Sequence, residues 1–330
     1  MVASFDGGAM TSDAGTLLLG ATDKALGLTR RLAACFKDSH DPVMAVLAGK
    51  REAHRSDCAP LAGKSTLNRL ERSKPEPTCY ARIAADTAAI EALFVDLFLD
   101  AHPKAPPQIT LDLDATDDPL HGRQEGRFFQ DYYDTYCYLP LYIFCGRHLL
   151  AAKLRRSNID AAAGTNDELA RIIGHIRARW PRVRILLRAD SGFCRETIMA
   201  WAEANRVDYV FGLARNVRLT AEIATETTAA RAEAERTRKP ARRFKDARWS
   251  TLDSRSRTRR VVGKAEWTQG EANPRFIVTS LNTDEIDGRR LYEVIYCARS
   301  EMENRIKECQ LDLFADRTSA ATMRANQLRL

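Results

Sequence analysis

The sequence lacks the features that mark secreted, membrane-spanning or zinc-finger proteins. Its eight cysteines are scattered over 330 residues without a C-x-x-C pair, which argues against a disulfide framework and a common zinc finger. The longest apolar stretch, residues 138–145 followed by 149–152, is interrupted well short of the roughly 18 residues of a membrane helix. The N-terminus has no basic region before an apolar run, so no signal peptide is evident. These absences predict a soluble, cytoplasmic protein.

A glycine-rich phosphate loop is also missing. Residues 62–66, AGKST, resemble the end of a P-loop, but Cys58 stands where the first glycine would be. The first predicted strand after residue 105 is followed by ATDDP at 115–119, and not by the glycine-rich turn of a dinucleotide-binding fold. Both observations argue against nucleotide binding.

What the chain has in excess is positive charge. It contains 51 Lys and Arg against 44 Asp and Glu, a net charge of +7, which is the sign expected of a protein that binds a polyanion. An apolar fraction of 45% in 330 residues is enough to build a buried core. Composition therefore predicts a folded chain, long enough for two or three domains.

The sequence pattern changes at three prolines, Pro103, Pro106 and Pro107. Residues 1–105 are predicted to be mostly helical, including helices at 14–19 and 83–99. Later segments follow the order β-β-β-α-β-α-β, which predicts a mixed sheet of the ribonuclease H type with the first strand central and the fourth beside it. The predicted strands are 109–114, 138–145, 149–154, 183–187 and 209–213, and the predicted helices are 166–180 and 195–205.

A long basic segment, residues 214–288, follows the last of these strands. Alternating polarity at 242–249, 259–267 and 275–281 predicts antiparallel strands. The segment is interpreted as a DNA-contacting, β-rich insertion, with a solvated basic loop as the alternative. The candidate DNA-binding residues within it are Arg242, Arg243, Lys245 and Arg248.

Three acidic residues stand where metal-dependent phosphodiester chemistry needs them. Asp114 ends the first predicted strand, Asp190 follows the fourth, and Glu303 lies in a helical pattern at 291–313. Adjacent strands bring the two aspartates together, and carboxylates are suitable ligands for a pair of Mg²⁺ ions. Taken singly, such residues are more often turn or N-cap residues. Asp112 shares a strand face with Asp114 and is its rival as first ligand, but Asp114 is nearer the strand end.

The helical pattern around Glu303 carries a polar stripe. Tyr296, Arg299, Glu303 and Lys307 are spaced three or four residues apart and share one helical face. The stripe predicts either a catalytic face, with Arg299 and Lys307 as phosphate contacts, or a surface salt-bridge ladder. Spacing alone leaves both readings open.

Five motifs extend over nearly the whole chain: TSDAG at 11–15, LAGKSTLNRL at 61–70, LDLDATDDPLHGRQEG at 111–126, RADSGF at 188–193 and YCARSEMENRIKE at 296–308. Together they resemble the insertion-sequence DDE transposases, specifically the thirteen-eighty family with its group-one DDE transposase domain. The resemblance implies an α/β fold: a ribonuclease H-like, retroviral-integrase-like catalytic core, split by a β-rich insertion and preceded by a helical N-terminal region.

The resemblance also implies four parts and a set of site residues. The parts are a helical DNA-end-binding region at 1–105, the first part of the core at 106–213, the basic insertion at 214–288, and the second part of the core with the acidic helix at 289–330. Catalytic and metal-holding roles fall on Asp114, Asp190 and Glu303, and DNA binding on Tyr296 and Arg299. The lysine of the family signature falls on Gln310, so its backbone contact would pass to Lys307.

The implied activity is metal-dependent DNA cleavage at the ends of an insertion sequence, followed by strand transfer into target DNA. The implied cofactor is a pair of Mg²⁺ ions, for which Mn²⁺ substitutes. The implied partners are double-stranded DNA, as terminal inverted repeats and target, and further copies of the chain, acting at the bacterial nucleoid without a membrane. The alternative is a shortened, catalytically inactive remnant that only binds DNA, since similar proteins continue beyond residue 330.

Overall fold

The computed structural model describes residues 23–38, 76–77, 83–250, 256–268, 270–312 and 315–330. The chain divides into two compact units, Met1–Leu93 and Phe94–Leu330. The predicted helix at 14–19, the motifs at 11–15 and 61–70, and the P-loop-like run all lie outside the described residues.

In the first unit, a short helix, α1 (Leu28–Ala33), precedes a two-stranded antiparallel sheet. Strand β1 (Phe36–Asp38) pairs with β2 (Ile83–Ala85). The sequence pattern predicts helix from residue 83, and for residues 83–85 this is wrong. Helix α2 (Thr87–Asp100) begins only after Asp86, whose carboxylate accepts a hydrogen bond from a backbone amide of the first turn and so caps the helix.

The second unit is built on a nine-stranded mixed sheet. The strands of this unit are β3 (Gln108–Ala115), β4 (Asp118–Pro119), β5 (Phe128–Gln130), β6 (Thr135–Tyr138), β7 (Leu141–Cys145), β8 (His148–Lys153), β9 (Arg184–Ala189), β10 (Asp208–Leu213), β11 (Ala241–Trp249), β12 (Arg259–Thr268), β13 (Glu271–Ala272) and β14 (Arg275–Thr279). The sheet runs β11-β12-β14-β10-β9-β3-β7-β8, with β13 paired to β12, while β4, β6 and β5 form a small separate sheet.

The centre of the sheet has the predicted order. β3 lies between the parallel strand β9 and the antiparallel strand β7, so the first predicted strand is central and the fourth lies beside it. The predicted strand at 138–145 is instead two strands, β6 and β7. Pro140 lies between them, and it has no amide hydrogen to donate to a ladder.

One face of the sheet is covered by α3 (Thr165–Arg179) and α4 (Glu196–Ala204). Their apolar residues, including Ile172 and Met199, join Leu111 and Leu113 of β3 in the main core. Because side chains alternate along a strand, Asp112 and Asp114 point to the opposite face.

The insertion extends the core sheet and begins with two helices. α5 (Val217–Glu222) and α6 (Ala224–Thr237) precede β11, and the sequence pattern predicts neither of them. β14 pairs with β10, and β12 pairs with β14, so the strands of the insertion continue the sheet of the core. The segment is therefore mixed α/β.

Arg259 of β12 fastens the insertion to the core. Its buried guanidinium donates hydrogen bonds to Glu196 and Glu203 of α4 over 2.7 to 3.1 Å. Removing one partner of such a buried charge network is strongly destabilising, so the insertion is held firmly against α4.

A continuous helical stretch at 288–312, here called the acid helix, lies across the other face of the sheet. It consists of α7 (Gly288–Arg290), a π-helix (Leu291–Tyr296), a 3₁₀ turn (Cys297–Arg299) and α8 (Ser300–Asp312). Its first half packs on Val262 and Ile277, and its second half packs on Tyr142 and Phe144. No helix in the described part of the chain is both long and apolar enough to cross a membrane.

The last residues cover the edge strand β8 and the small sheet. α9 (Met323–Gln327) carries Gln327, whose side-chain amide donates to the Ala152 carbonyl at 2.8 Å and accepts from the Leu154 amide at 2.7 Å. The Thr318 hydroxyl donates to the buried carboxylate of Asp118 at 2.6 Å.

Candidate active site

Asp114 and Asp190 come together through the register of β3 and β9. Parallel pairing places Leu113 beside Ala189, and the two aspartates are the next residues of their chains. Both stand at the carboxyl ends of neighbouring strands, on the face of the sheet that the acid helix covers. Each carboxylate has one oxygen held by a backbone amide, that of Ala115 at 3.0 Å for Asp114 and that of Gly192 at 2.8 Å for Asp190.

A cavity of about 520 Å³, here called the acid cavity, is lined by all three predicted acids. Glu303 enters it from the acid helix. The same helix contributes Arg299, Lys307 and Gln310, and the hairpin between β5 and β6 contributes Tyr132 and Tyr133. The predicted catalytic acids and two of the predicted cations therefore line one cavity. The sequence pattern at 296–308 did not indicate that tyrosines also line it.

Arg299 forms ion pairs with two of the acids. Its guanidinium lies 2.7 Å from a Glu303 oxygen and 3.6 Å from an Asp114 oxygen. Burial alone would lower the pKa of Arg299, but Asp114 and Glu303 outweigh it and raise that pKa. The predicted salt-bridge ladder thus exists between Arg299 and Glu303, and it points into the acid cavity.

The pKa of Asp114 is strongly perturbed by its surroundings. Burial raises the pKa of Asp114 to about 6, and the charges of Asp190 and Glu303 add to this effect, while Arg299 opposes it. Asp114 therefore lies in a buried, acidic environment, in which a bound cation would stabilise its ionised form.

The donor set fits a divalent cation of the Mg²⁺ type. Within the described ranges, no three His, Cys, Asp or Glu side chains converge as a metal-holding group, and Arg299 contacts both Asp114 and Glu303. Mg²⁺ nevertheless needs only one or two protein carboxylates and takes water and phosphate oxygens for the rest. Asp114 and Asp190 supply such ligands side by side.

Asp112, the alternative to Asp114 as first ligand, is paired with an arginine. Arg188 donates to its two oxygens at 2.5 and 2.8 Å, and donates a third hydrogen bond to the Ile295 carbonyl of the π-helix at 2.6 Å. Burial raises the pKa of Asp112, and Arg188 opposes this shift. This buried pair joins the two central strands to the acid helix.

Tyr296 packs against a glycine that the sequence pattern did not single out. A Cβ atom at Gly212 would lie 2.6 Å from the Tyr296 hydroxyl and 2.9 Å from the Ser191 amide. An isolated glycine inside a strand pattern is the signal that could have identified this close approach.

The predicted cations of the insertion are largely engaged with acids. Arg242 contacts Glu266 at 2.5 Å and Glu293 at 3.5 Å, Arg243 contacts Glu233 at 2.5 Å, and Lys245 contacts Glu222 at 3.1 Å. Arg248 is exposed on β11. A DNA phosphate would have to compete with these carboxylates at three of the four positions.

Among solved structures, the chain resembles the piggyBac transposase synaptic complex with hairpin DNA, determined by cryo-EM. The two are 10% identical with a TM-score of 0.37, and the alignment covers 68% of this chain and 47% of that one. The chain thus spans about half the length of that transposase. No curated protein sequence matches the chain.

The family comparison covers the chain almost completely. The model described as transposase DDE domain group 1 matches residues 1–46 and 39–330. This confirms the group-one resemblance inferred from the five motifs, whereas the finer assignment to the thirteen-eighty family stays a prediction. The match includes the strand ends and the helix that carry the three acids of the cavity. The chain therefore belongs to the family of group 1 transposase DDE domains.

Proposed function

We propose that the chain is a DNA transposase, which cuts DNA strands at the ends of an insertion sequence and joins them to target DNA. The observation that carries the proposal is that Asp114, Asp190 and Glu303 line one cavity. Membership of the DDE domain family supports it. The strand order β8-β7-β3-β9-β10 supports it as well, since it is the order of a ribonuclease H-like, integrase-like core. We also propose, for the parts at 1–105, 106–213, 214–288 and 289–330, the roles predicted from the sequence.

The proposed chemistry assigns each group of the acid cavity a task. Asp114, Asp190 and Glu303 would hold two Mg²⁺ ions, or Mn²⁺ in their place, which supply Lewis acidity and an activated nucleophile. Arg299 and Lys307 face the same space and are suited to contact the phosphate that is cut. Tyr296 and the basic residues of the insertion, Arg242, Arg243, Lys245 and Arg248, would contact the DNA backbone.

The proposed partners follow from this chemistry. They are double-stranded DNA carrying the terminal repeats, target DNA, and further copies of the chain assembled on paired ends, at the bacterial nucleoid. A DNA-binding remnant without cleavage is the second candidate. It is favoured by one observation, the guanidinium of Arg299 lying between two of the three acids.

The test is cleavage of supercoiled DNA carrying the element's own ends, with Mg²⁺ or Mn²⁺. We expect Asp190→Asn to lower the nicking rate about 100-fold or more, because one ligand of the cavity loses its charge. Asp284→Asn removes an equivalent charge from an exposed loop and should nick at the wild-type rate. If the folded wild-type chain binds this DNA but never nicks it, the remnant is the correct reading.

A further inference from the structure

A second cavity adjoins the acid cavity, on the side of Tyr296. It has a volume of about 420 Å³ and shares Asp190, Ser191 and Arg299 with the acid cavity. Two more arginines, Arg215 and Arg275, line it, and it is here called the arginine cavity.

The strand register explains why these arginines lie next to the acids. Arg215 follows the end of β10 and Arg275 begins β14, and these strands are antiparallel, with Leu213 opposite Phe276. β10 is also the parallel neighbour of β9, which ends just before Asp190. Both arginines therefore stand at the same edge of the sheet as the catalytic aspartates.

The two arginines differ from the basic residues predicted to bind DNA. Both are exposed, and within the described part of the chain neither has a carboxylate at ion-pair distance, in contrast to Arg242, Arg243 and Lys245. Among the described residues that line the arginine cavity, only Asp190 carries a carboxylate. Two guanidinium groups that pair with no carboxylate of the described residues are suited to phosphate, which each can bind with two hydrogen bonds.

We infer that the arginine cavity binds the backbone phosphates of the DNA strand next to the phosphate that is cut in the acid cavity. The inference rests on the proposed function, because it states where the substrate strand leaves the site. Arg299 lines both cavities and Tyr296 lines the arginine cavity, so the strand passes over them from the acids to Arg215 and Arg275. Contacts of this kind fix the position of DNA without reading its sequence.

The first experiment measures binding to a duplex carrying the element's own end, by fluorescence anisotropy in metal-free buffer at several salt concentrations. We expect Arg215→Ala/Arg275→Ala to weaken binding roughly tenfold or more. The slope of log affinity against log salt should shrink by about 1.8, which is about 0.9 for each lost phosphate contact. The matched control is Arg147→Ala/Arg182→Ala, which removes two exposed arginines outside the insertion, one in the turn between β7 and β8 and one just before β9, at the edge of the sheet opposite the aspartates. Equal losses of affinity in both variants would mean that binding depends only on the total positive charge of the protein, and would overturn the inference.

The second experiment locates the contact on the DNA. Uncharged methylphosphonates replace single phosphates on either side of the cleavage position, and binding is measured for the wild type and the double variant. We expect a neutral phosphate beside that position to weaken wild-type binding and to have little further effect on the double variant. Equal losses in the two proteins would place the contact elsewhere. Neither experiment needs cleavage, so an inactive chain would refute the proposed function and leave this result intact.

Discussion

Gly212 leaves just enough room for the hydroxyl of Tyr296. In Gly212→Ala the new methyl group would lie 2.6 Å from that oxygen, so Tyr296 and the acid helix must shift. We expect a loss of about 1 to 3 kcal/mol of stability and a cleavage rate at least roughly tenfold lower, because catalytic geometry is sensitive to shifts of about 1 Å. Thermal unfolding and the plasmid nicking assay measure the two effects.

The control at this scale is Gly174→Ala in α3. A Cβ at Gly174 meets nothing within 4 Å, so this variant should be as active as the wild type and slightly more stable, since alanine favours helix. Wild-type nicking by the folded Gly212→Ala protein would mean that the position of Tyr296 is not critical.

Single residues also mark how far the sequence predicts the site. Asp114, Asp190 and Glu303 could be identified because acids at strand ends and on a helix face carry a recognisable spacing. The pairing of Asp112 with Arg188 follows from the same register as that of Asp114 with Asp190, so it could have been predicted once that register was assumed. The pair of Arg299 with Glu303 follows from their spacing on one helix, but the contact of Arg299 with Asp114 could not be predicted, because it depends on how the acid helix is rotated over the sheet.

Among the elements, the π-helix of the acid helix is held to the central strands by Arg188. Arg188→Met leaves the buried carboxylate of Asp112 unpaired and should cost about 3 to 5 kcal/mol. Adding Asp112→Leu removes both charges and should restore most of this stability, as apolar replacements of buried ion pairs often do. The Ile295 carbonyl still loses its donor, so the acid helix is free to shift and the maximal cleavage rate should stay at least roughly tenfold low.

Urea unfolding and the dependence of cleavage rate on DNA concentration separate these effects. If the Asp112–Arg188 pair only stabilises the fold, the double variant should cleave at the wild-type rate once its stability is restored. If the Asp112–Arg188 pair positions the acid helix, the double variant should have a lower maximal cleavage rate and an unchanged half-saturating DNA concentration. Full activity of the stable double variant would contradict the positioning role.

The elements of the core were predictable because their apolar periodicity is strong. The predicted strands at 109–114, 149–154 and 209–213 agree with β3, β8 and β10 to within about a residue at each end. α6 was missed because only Ala230 of its residues is buried, which leaves no apolar stripe. Its Ala, Glu and Arg content was the usable signal, since these residues favour helix intrinsically.

On the scale of the whole molecule, the contact between Asp118 and Thr318 joins segments that lie far apart in the chain. Burial raises the pKa of Asp118 to about 7, against the hydrogen bond from Thr318, and the second carboxylate oxygen has no partner in the described structure. The folded state therefore binds a proton more tightly than the unfolded state. Stability from this group is complete below the ordinary aspartate pKa of about 4 and is lost as the pH rises through about 7.

We therefore expect Asp118→Asn to be more stable than the wild type at pH 8, by on the order of 2 to 4 kcal/mol, and to gain little at pH 4. Urea unfolding between pH 4 and pH 8 measures the difference. Asp284→Asn, which changes an exposed acid, should follow the wild-type pH dependence. A gain for Asp118→Asn that is equal at both ends of this range would show that the carboxyl group is not protonated in the fold.

The position of Glu303 after the whole insertion has a consequence for synthesis. A ribosome adds about 5 to 20 residues per second, so roughly ten seconds pass between the emergence of Asp190 and that of Glu303. During this interval the nascent chain carries two acids of the cavity and lacks the helix that supplies the third. The order of segments along the chain thus prevents the acid cavity from forming before residue 303 has been synthesised, and a product terminated within the insertion would lack the third acid of the cavity.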